Sequence, residues 1–185
     1  MPMNPMVTPP KVEELGELKS LKVTRDAGGF PGVILVELNR PKRLNAMDMH
    51  MFEELPKVFD ALSVDTDVRA IVLAGSGKGF CSGIDIGLLM QMGEKTQGSE
   101  DASRAGLFNL EFVKWLQNSI SSVEQCRYPV IAAAHGMVVG GGVDLFTATD
   151  IRICSEQTTF SVREVFLSTL NNFSSSKCLR KRISR

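Results

Sequence analysis

The sequence has no excess of either charge, few metal-binding side chains and no long apolar run. Its 185 residues include 21 basic and 21 acidic side chains, so it lacks the basic excess of a nucleic-acid-binding protein. It has two histidines, and its four cysteines form no CxxC pair, which argues against a zinc site or a multi-histidine metal centre. No apolar stretch approaches the roughly 20 residues that span a bilayer. We therefore expect no nucleic-acid partner, no metal and no membrane span.

No targeting signal is legible at either end of the sequence. Residues 1–11 lack the basic start and apolar core of a signal peptide, and the first 20 residues hold no arginine. The last three residues, Ile-Ser-Arg, do not form a peroxisomal SKL-type address. Residues 1–18 have the composition of a flexible leader. Residues 171–185 combine serines with five basic residues and no acidic one, which predicts a disordered tail.

Between these ends, aliphatic runs alternate with amphipathic stretches, which predicts an α/β protein. Apolar residues at three- and four-residue spacing predict helices over residues 47–62, 104–125 and 143–148. Asp48 is the expected N-cap of the first helix, and Pro56 inside it predicts a kink or a late start. The polar residues 93–103 predict a mobile loop. The aliphatic runs predict strands at residues 21–24, 33–38, 68–74, 130–134 and 151–154.

Two of the predicted strands run into glycine-rich turns that precede helices. The first turn is Phe-Cys-Ser-Gly-Ile-Asp at 80–85, after the strand and loop at 68–79. The second follows the strand at 130–134 and runs from His135-Gly136 through Gly-Gly-Gly-Val-Asp at 140–144. The first amides of a helix lack internal partners, so two such turns side by side can direct two N–H groups at one oxygen, as in an oxyanion hole. A phosphate-binding loop fits poorly, because residues 75–79 lack the Ser or Thr of a Walker motif and neither turn completes GxGxxG. That the glycines only permit tight packing stays an alternative.

Several motifs resemble, in their order and spacing, the crotonase (enoyl-CoA hydratase/isomerase) superfamily. They are Asn39-Arg40-Pro41 with Leu44-Asn45-Ala46, FCSGID at 80–85, CRYPVIAAAHG at 126–136 and GGGVD at 140–144. The resemblance covers residues 20–165. SGID, GGGVD and Arg163-Glu164-Val165 are most similar to the dienoyl-CoA isomerases. The resemblance implies an α/β fold, a crotonase-like spiral of ββα units in which residues 19–170 form a partial domain, incomplete at the C-terminus.

The resemblance also assigns roles to residues at the two turns. The amides of Ile84 and Gly141 would form the oxyanion hole. The thioester and pantetheine would lie along the first turn and the second glycine, a set made of Ser82, Gly83, Ile84, Asp85, Ile86 and Gly141. The CoA nucleotide would lie near Lys42, Arg43 and Leu44, where the two cations could meet phosphates. Two solvated surface charges are the alternative interpretation there.

Two carboxylates are the implied catalytic groups, Asp144 and Glu164. Moving a proton along the acyl chain of a thioester needs a base that then acts as an acid. In a poorly solvated pocket, two carboxylates drive their pKa values apart, so that one can be protonated while the other is ionised. In the alternative interpretation, Asp144 only stabilises the start of its helix through the helix dipole, and Glu164 is a surface residue. The isomerases' third acid falls at Asn172, an amide that cannot shuttle a proton. Past Val165 the resemblance fades.

The implied reaction is the isomerisation of a 3,5-dienoyl-CoA to a 2,4-dienoyl-CoA through an enolate, in fatty-acid β-oxidation. Coenzyme A would be part of the substrate, with no separate cofactor. The resemblance further implies a homotrimer or hexamer and a peroxisomal or mitochondrial location. Hydration of a 2-enoyl-CoA is one alternative, although an Asp at 144 is shorter than the Glu of the hydratases. The other is a catalytically impaired acyl-CoA-binding fragment, for which we expect low or no turnover.

Overall fold

Seven strands form two sheets in the described part of the chain, which in this computed structural model comprises residues 10–97 and 102–162. The strands are β1 (Leu21–Thr24), β2 (Val33–Leu38), β3 (Ala70–Gly75), β4 (Val130–Ala134), β5 (Met137–Val139), β6 (Ile151–Cys154) and β7 (Thr159–Ser161). The larger sheet has the order β1–β2–β3–β4–β6, in which β1 is antiparallel to β2 and the other pairs are parallel. The smaller sheet pairs β5 with β7 in parallel. The carboxyl ends of β3 and β4 therefore lie at the same edge.

The predicted strands agree closely with the observed ones, because buried parallel strands consist of continuous runs of aliphatic residues that are easily recognised in the sequence. The exception is the third, which begins at Ala70 rather than Val68. The Val68 N–H donates to the Asp65 carbonyl at 3.2 Å, so this residue closes a turn before the strand starts. Its side chain is nevertheless fully buried, which is why the apolar pattern includes it.

Four α-helices connect the strands in the described residues: α1 (Met49–Val64), α2 (Ile86–Gln97), α3 (Ala102–Glu124) and α4 (Gly141–Thr147). The predicted N-cap of α1 is confirmed, because the Asp48 carboxylate accepts the Met51 N–H at 2.9 Å. Pro56 lies inside α1 without ending it. The buried stripe of α1 stabilises the helix across this proline, and it is made of Met51, Phe52, Leu55, Val58, Phe59 and Leu62.

The loop predicted over residues 93–103 is wrong for the residues that the structure describes. Residues 93–97 complete α2, and residues 102–103 belong to α3. Polar composition is therefore not a sign of irregular backbone at these residues. Leu88 is buried while Leu89 and Met90 are largely exposed, so the first turns of α2 are anchored through Leu88.

The hydrophobic core lies where α1, α3 and α4 meet the sheet strands. Phe52 on α1 packs against Trp115 on α3 with ring centroids 5.7 Å apart, and Phe80 meets Phe146 on α4 edge to face at 5.9 Å. Other apolar side chains remain at the surface with 43–61% of their area exposed, namely Leu107, Leu110, Val113, Ile151 and Ile153.

The residues that precede β1 pack onto this core. Of the leader predicted at 1–18, residues 10–18 are described, and Val12, Leu15 and Leu18 lie against the core cluster. The flexibility predicted for the leader stays a prediction, while the tail at 171–185 lies outside the described residues. Among the helices that the structure describes, none is long and apolar enough to cross a membrane.

Candidate active site

The two glycine-rich turns lie against each other at the carboxyl edge of the sheet. Gly83 has φ +99°, a conformation that favours glycine, and a Cβ atom there would stand 3.0 Å from the Val139 carbonyl oxygen. A Cβ on Gly141 would stand 3.2 Å from Cγ1 of Ile84. The first turn therefore approaches the second at Gly83, and the two residues predicted to form the oxyanion hole, Ile84 and Gly141, are neighbours.

The amide of Ile84 has no acceptor in the part of the chain that the structure describes. Met47 and Ile84 form an isolated parallel bridge, in which the Met47 N–H donates to the Gly83 carbonyl at 2.8 Å and the Asp85 N–H donates to the Met47 carbonyl at 3.0 Å. Because hydrogen-bonding groups alternate along an extended strand, the N–H of Ile84 points away from Met47. Among the described residues, no backbone or side-chain oxygen accepts it.

The amide of Gly141 is likewise available. Gly141 is the first residue of α4, and first-turn N–H groups have no intrahelical acceptor. No oxygen of the described residues accepts this N–H, whereas the preceding Gly140 donates to Ser161 at 2.9 Å and Val143 donates to Gly140 at 2.6 Å. Two N–H groups without an acceptor among the described residues thus belong to residues in contact; that they act together on one carbonyl oxygen stays a prediction.

Tight packing explains some of the glycines but leaves these two donors unexplained. A Cβ on Gly142 would lie 2.8 Å from the Cβ of Cys81, and one on Gly136 would lie 2.2 Å from the Lys78 carbonyl oxygen. These glycines let α4 and the end of β4 approach the first turn. The packing interpretation therefore holds at 136 and 142 without accounting for the free amides of the two turns.

The thiol of Cys81 fills the space beneath the first turn. It is fully buried and donates to the Asn45 carbonyl at 3.2 Å. Burial raises the pKa of Cys81 to about 11, so the thiol is protonated at neutral pH and is not a nucleophile there. Its function in the fold is to join the first turn to the segment that precedes α1.

That segment, residues 40–46, contains the residues predicted to meet the CoA nucleotide. Lys42 and Arg43 are exposed, and Leu44 is half-buried with φ +50°. The Ser82 N–H donates to the Leu44 carbonyl at 3.0 Å, and its hydroxyl reaches the Arg43 carbonyl at 3.4 Å. The structure brings this segment beside the first turn; its contact with CoA stays a prediction.

A buried asparagine, whose role the sequence did not reveal, holds this segment in place. Asn45 has φ +54°, its Nδ2 donates to the carbonyls of Ser76 at 2.8 Å and Gly79 at 2.9 Å, and its Oδ1 accepts the Arg40 N–H at 2.9 Å. The only available signal was its place in the Leu-Asn-Ala motif. Its amide links the segment to the loop that follows β3.

Of the side chains predicted to line the substrate, Asp85 is already engaged within the protein. One carboxylate oxygen accepts from Arg40 Nη1 at 2.9 Å, and the other accepts the Gly87 N–H at 2.9 Å, which caps α2. The hydrogen bond from Arg40 lowers the pKa of Asp85, so the carboxylate is ionised at neutral pH. The neighbouring Ile86 is 68% exposed and Ser82 is half-buried.

The structure describes one of the two predicted catalytic carboxylates, Asp144. Asp144 lies in the first turn of α4, three residues after Gly141, and its side chain is exposed. Glu164 and Asn172 lie outside the described residues. The pairing of Asp144 with Glu164 therefore stays a prediction. Within the described residues, no group of three or more His, Cys, Asp and Glu side chains is arranged to hold a metal ion.

A mainly parallel sheet connected by helices defines the class to which the chain belongs, that of the α/β proteins. Comparison with known proteins gives the family. The profile of the Enoyl-CoA hydratase/isomerase family matches residues 29–185. The chain belongs to that family and has its crotonase fold, as the motifs predicted.

Individual relatives agree with this assignment. The chain is 41% identical over 157 residues to the peroxisomal Delta(3,5)-Delta(2,4)-dienoyl-CoA isomerase of Arabidopsis thaliana, covering 85% of this chain and 55% of that protein. It is 41% identical over 149 residues to the mitochondrial enzyme of that name from Homo sapiens, covering 80% and 44%. A solved enoyl-CoA hydratase from Mycobacterium smegmatis superposes with a TM-score of 0.65 at 27% identity, covering 81% of this chain and 53% of that one. The chain thus spans about half the length of these relatives.

Proposed function

We propose that this chain binds an unsaturated fatty acyl-CoA and carries the thioester-polarising part of a 3,5-dienoyl-CoA to 2,4-dienoyl-CoA isomerase. The observation that carries the proposal is the pair of free amides on Ile84 and Gly141, two residues in contact with each other. Similarity to proteins named dienoyl-CoA isomerase supports this substrate class above others in the family.

The proposed reaction moves one proton and two double bonds. A base removes a proton from C2, and the electrons pass through the conjugated system to the thioester oxygen, where the N–H groups of Ile84 and Gly141 stabilise the enolate. A proton then returns at C6, which leaves double bonds at C2 and C4. We assign the proton transfers to Glu164, with Asp144 assisting. No separate cofactor is proposed, since the thioester carbonyl itself accepts the electron pair.

The remaining contacts of the substrate follow from the same placement. The pantetheine would run along residues 82–86, and the CoA phosphates would meet Lys42 and Arg43, which are exposed beside the first turn. The names of the relatives include both a peroxisomal and a mitochondrial protein, which supports one of these two compartments for this chain. Association into a trimer or hexamer stays a prediction.

The second candidate within the family is hydration of a 2-enoyl-CoA. The similarity of the fold to a solved enoyl-CoA hydratase favours it. It would use the same two amides and a water molecule placed between Asp144 and Glu164. Asp144 is shorter than the glutamate that hydratases carry at this position, which favours the isomerase.

A third candidate, an acyl-CoA binder with impaired catalysis, is favoured by the exposed apolar side chains of α3 and β6. Side chains such as Leu107 and Ile153 have 61% and 56% of their area exposed, so the described residues leave part of their apolar surface uncovered. This candidate predicts binding without turnover.

One spectroscopic experiment separates the three candidates. The purified full chain is mixed with 3,5-octadienoyl-CoA and, separately, with 2-octenoyl-CoA. The isomerase predicts a rise in conjugated-diene thioester absorbance with the first substrate, the hydratase a loss of enoyl absorbance with the second, and the binder saturable binding without either change. Failure of both acyl-CoA thioesters to bind would contradict the proposal, with free CoA and octanoate as controls for partial recognition.

A further inference from the structure

The direction of the Ile84 N–H depends on the β-bridge between Met47 and Ile84, and a single arginine contacts the residues next to both. Ile84 donates away from Met47 only because the neighbouring groups on either side of it are tied to Met47. Any rotation of residues 83–85 would turn this N–H away from the position of a bound carbonyl. What keeps the Met47–Ile84 bridge in register therefore also sets the geometry of the oxyanion hole.

Arg40 contacts the residues on both sides of that bridge. Its Nε lies 3.1 Å from Asp48 Oδ2, and its Nη1 donates to the carbonyl of Ala46, so it holds the two neighbours of Met47. The same Nη1 lies 2.9 Å from Asp85 Oδ2, which holds the residue that follows Ile84. One planar guanidinium thus joins both strands of the bridge.

The surroundings make this contact stronger than an ordinary surface ion pair. The side chains of Arg40, Asp48 and Asp85 are 19%, 21% and 22% exposed, so water screens them only partly. Each carboxylate has a second engagement, because Asp48 caps α1 and Asp85 caps α2. The guanidinium therefore also fixes the starts of two helices relative to each other. A lysine could not reproduce this, because it lacks the rigid fork of donors.

We propose that Arg40 is a positioning residue for the oxyanion hole, which sets the direction in which the Ile84 amide donates by clamping the Met47–Ile84 bridge. This inference rests on the proposed function and extends it to a residue that touches neither the thioester nor the reacting carbons. It predicts that loss of the guanidinium weakens polarisation of the bound carbonyl more than it weakens binding of the CoA ester.

The chain offers a matched control in Arg25. Its guanidinium also bridges two carboxylates, those of Glu13 and Asp65, and its side chain is 33% exposed. These partners lie in the leader and at the end of α1, and none of them belongs to the two turns. If Arg40 had only a structural role, Arg25→Met and Arg40→Met would have similar effects on a bound ligand.

The test uses para-dimethylaminocinnamoyl-CoA, whose absorption band moves to longer wavelength when its thioester carbonyl accepts hydrogen bonds. The full chain and the variants Arg40→Met, Arg40→Lys and Arg25→Met are titrated with this probe, and the thermal unfolding midpoint of each is recorded. For Arg40→Met we expect the shift at saturation to fall by half or more, with a Kd raised about tenfold at most, the range for one weakened hydrogen bond. Arg40→Lys should recover part of the shift, and Arg25→Met should keep all of it.

The outcomes separate this inference from the function on which it rests. No shift in the wild-type chain would overturn the oxyanion hole itself. A wild-type shift retained in full by folded Arg40→Met would overturn the positioning role alone. So would an equal loss in Arg25→Met. If Arg40→Met does not fold, Asp85→Asn provides the test, since asparagine keeps the cap of α2 but not the ion pair; an unchanged shift in that variant would contradict the proposal.

Discussion

Replacement of Gly141 by proline removes one of the two proposed donors while leaving the helix intact. Gly141 is the first residue of α4, where a missing N–H costs no intrahelical hydrogen bond and the φ angle of proline suits the helix. The preceding residue, Gly140, is a glycine and tolerates the restriction that a following proline imposes. Gly141→Ala is the matched control, because both variants add a Cβ that would lie 3.2 Å from Cγ1 of Ile84, but only proline removes the donor.

The size of the effect follows from the number of donors. With two amides on one oxygen, the proline variant keeps at most one, and its Cδ takes the place of the lost hydrogen, so the hydrogen-bond shift of the carbonyl stretch should fall to half or less of that in Gly141→Ala. In the ground state, one hydrogen bond corresponds to a Kd about 2- to 10-fold weaker. Any turnover should fall by about 100- to 1,000-fold, because the charge on the oxygen is larger in the transition state.

The assay is isotope-edited infrared spectroscopy of octanoyl-CoA labelled with carbon-13 at the carbonyl. The stretching frequency is recorded free and bound to each variant, and Kd is measured on the same samples. Equal frequencies and equal Kd values for Gly141→Pro and Gly141→Ala would show that the Gly141 amide does not touch the thioester, and the proposed reasoning would be refuted.

Three further predictions concern stability. Glu54 is 7% exposed and accepts three backbone N–H groups, from residues 19–21, so Glu54→Gln should lower the free energy of unfolding in urea by about 2 kcal/mol, while Glu53→Gln on the exposed side should change it little. Asp48→Ala removes the N-cap of α1 and should cost about 1 kcal/mol or more in the same assay, and an unchanged midpoint would contradict the capping role. The hydrogen bond from Arg40 lowers the pKa of Asp85 in the folded protein, so the ionised carboxylate contributes to stability above the unfolded pKa of about 3.9. This contribution is lost as pH falls through the folded pKa. The difference in free energy of unfolding between wild type and Asp85→Asn should therefore be constant near neutral pH and shrink below about pH 4.

The two glycine turns were predictable from the sequence because local signals define them. A buried parallel strand reads as an aliphatic run, and glycine directly after it marks a sharp turn into a helix, so the positions of Gly83 and Gly141 follow from chain order. Their contact follows from the parallel pairing of β3 with β4, continued by the parallel bridge between Cys81 and Val138 that precedes both glycines. The prediction of a loop is wrong for residues 93–97 and 102–103, because polarity was taken as a sign of irregular backbone.

The interactions that stabilise the site were not predictable in this way. Arg40 and Asp85 are 45 positions apart, and Asn45 reaches a carbonyl 34 positions away, so no local pattern connects them. Glu54 occupies a position that could equally be a solvated helix face. It is buried only because the N–H groups of residues 19–21 need an acceptor when the chain crosses α1 on its way into β1. These contacts depend on the assembled fold.

The most direct measurement is a crystal structure of the chain with octanoyl-CoA bound. We expect the thioester oxygen to lie about 2.7–3.1 Å from the amide nitrogens of both Ile84 and Gly141. A thioester oxygen that meets neither nitrogen, or a ligand in another cavity, would contradict it.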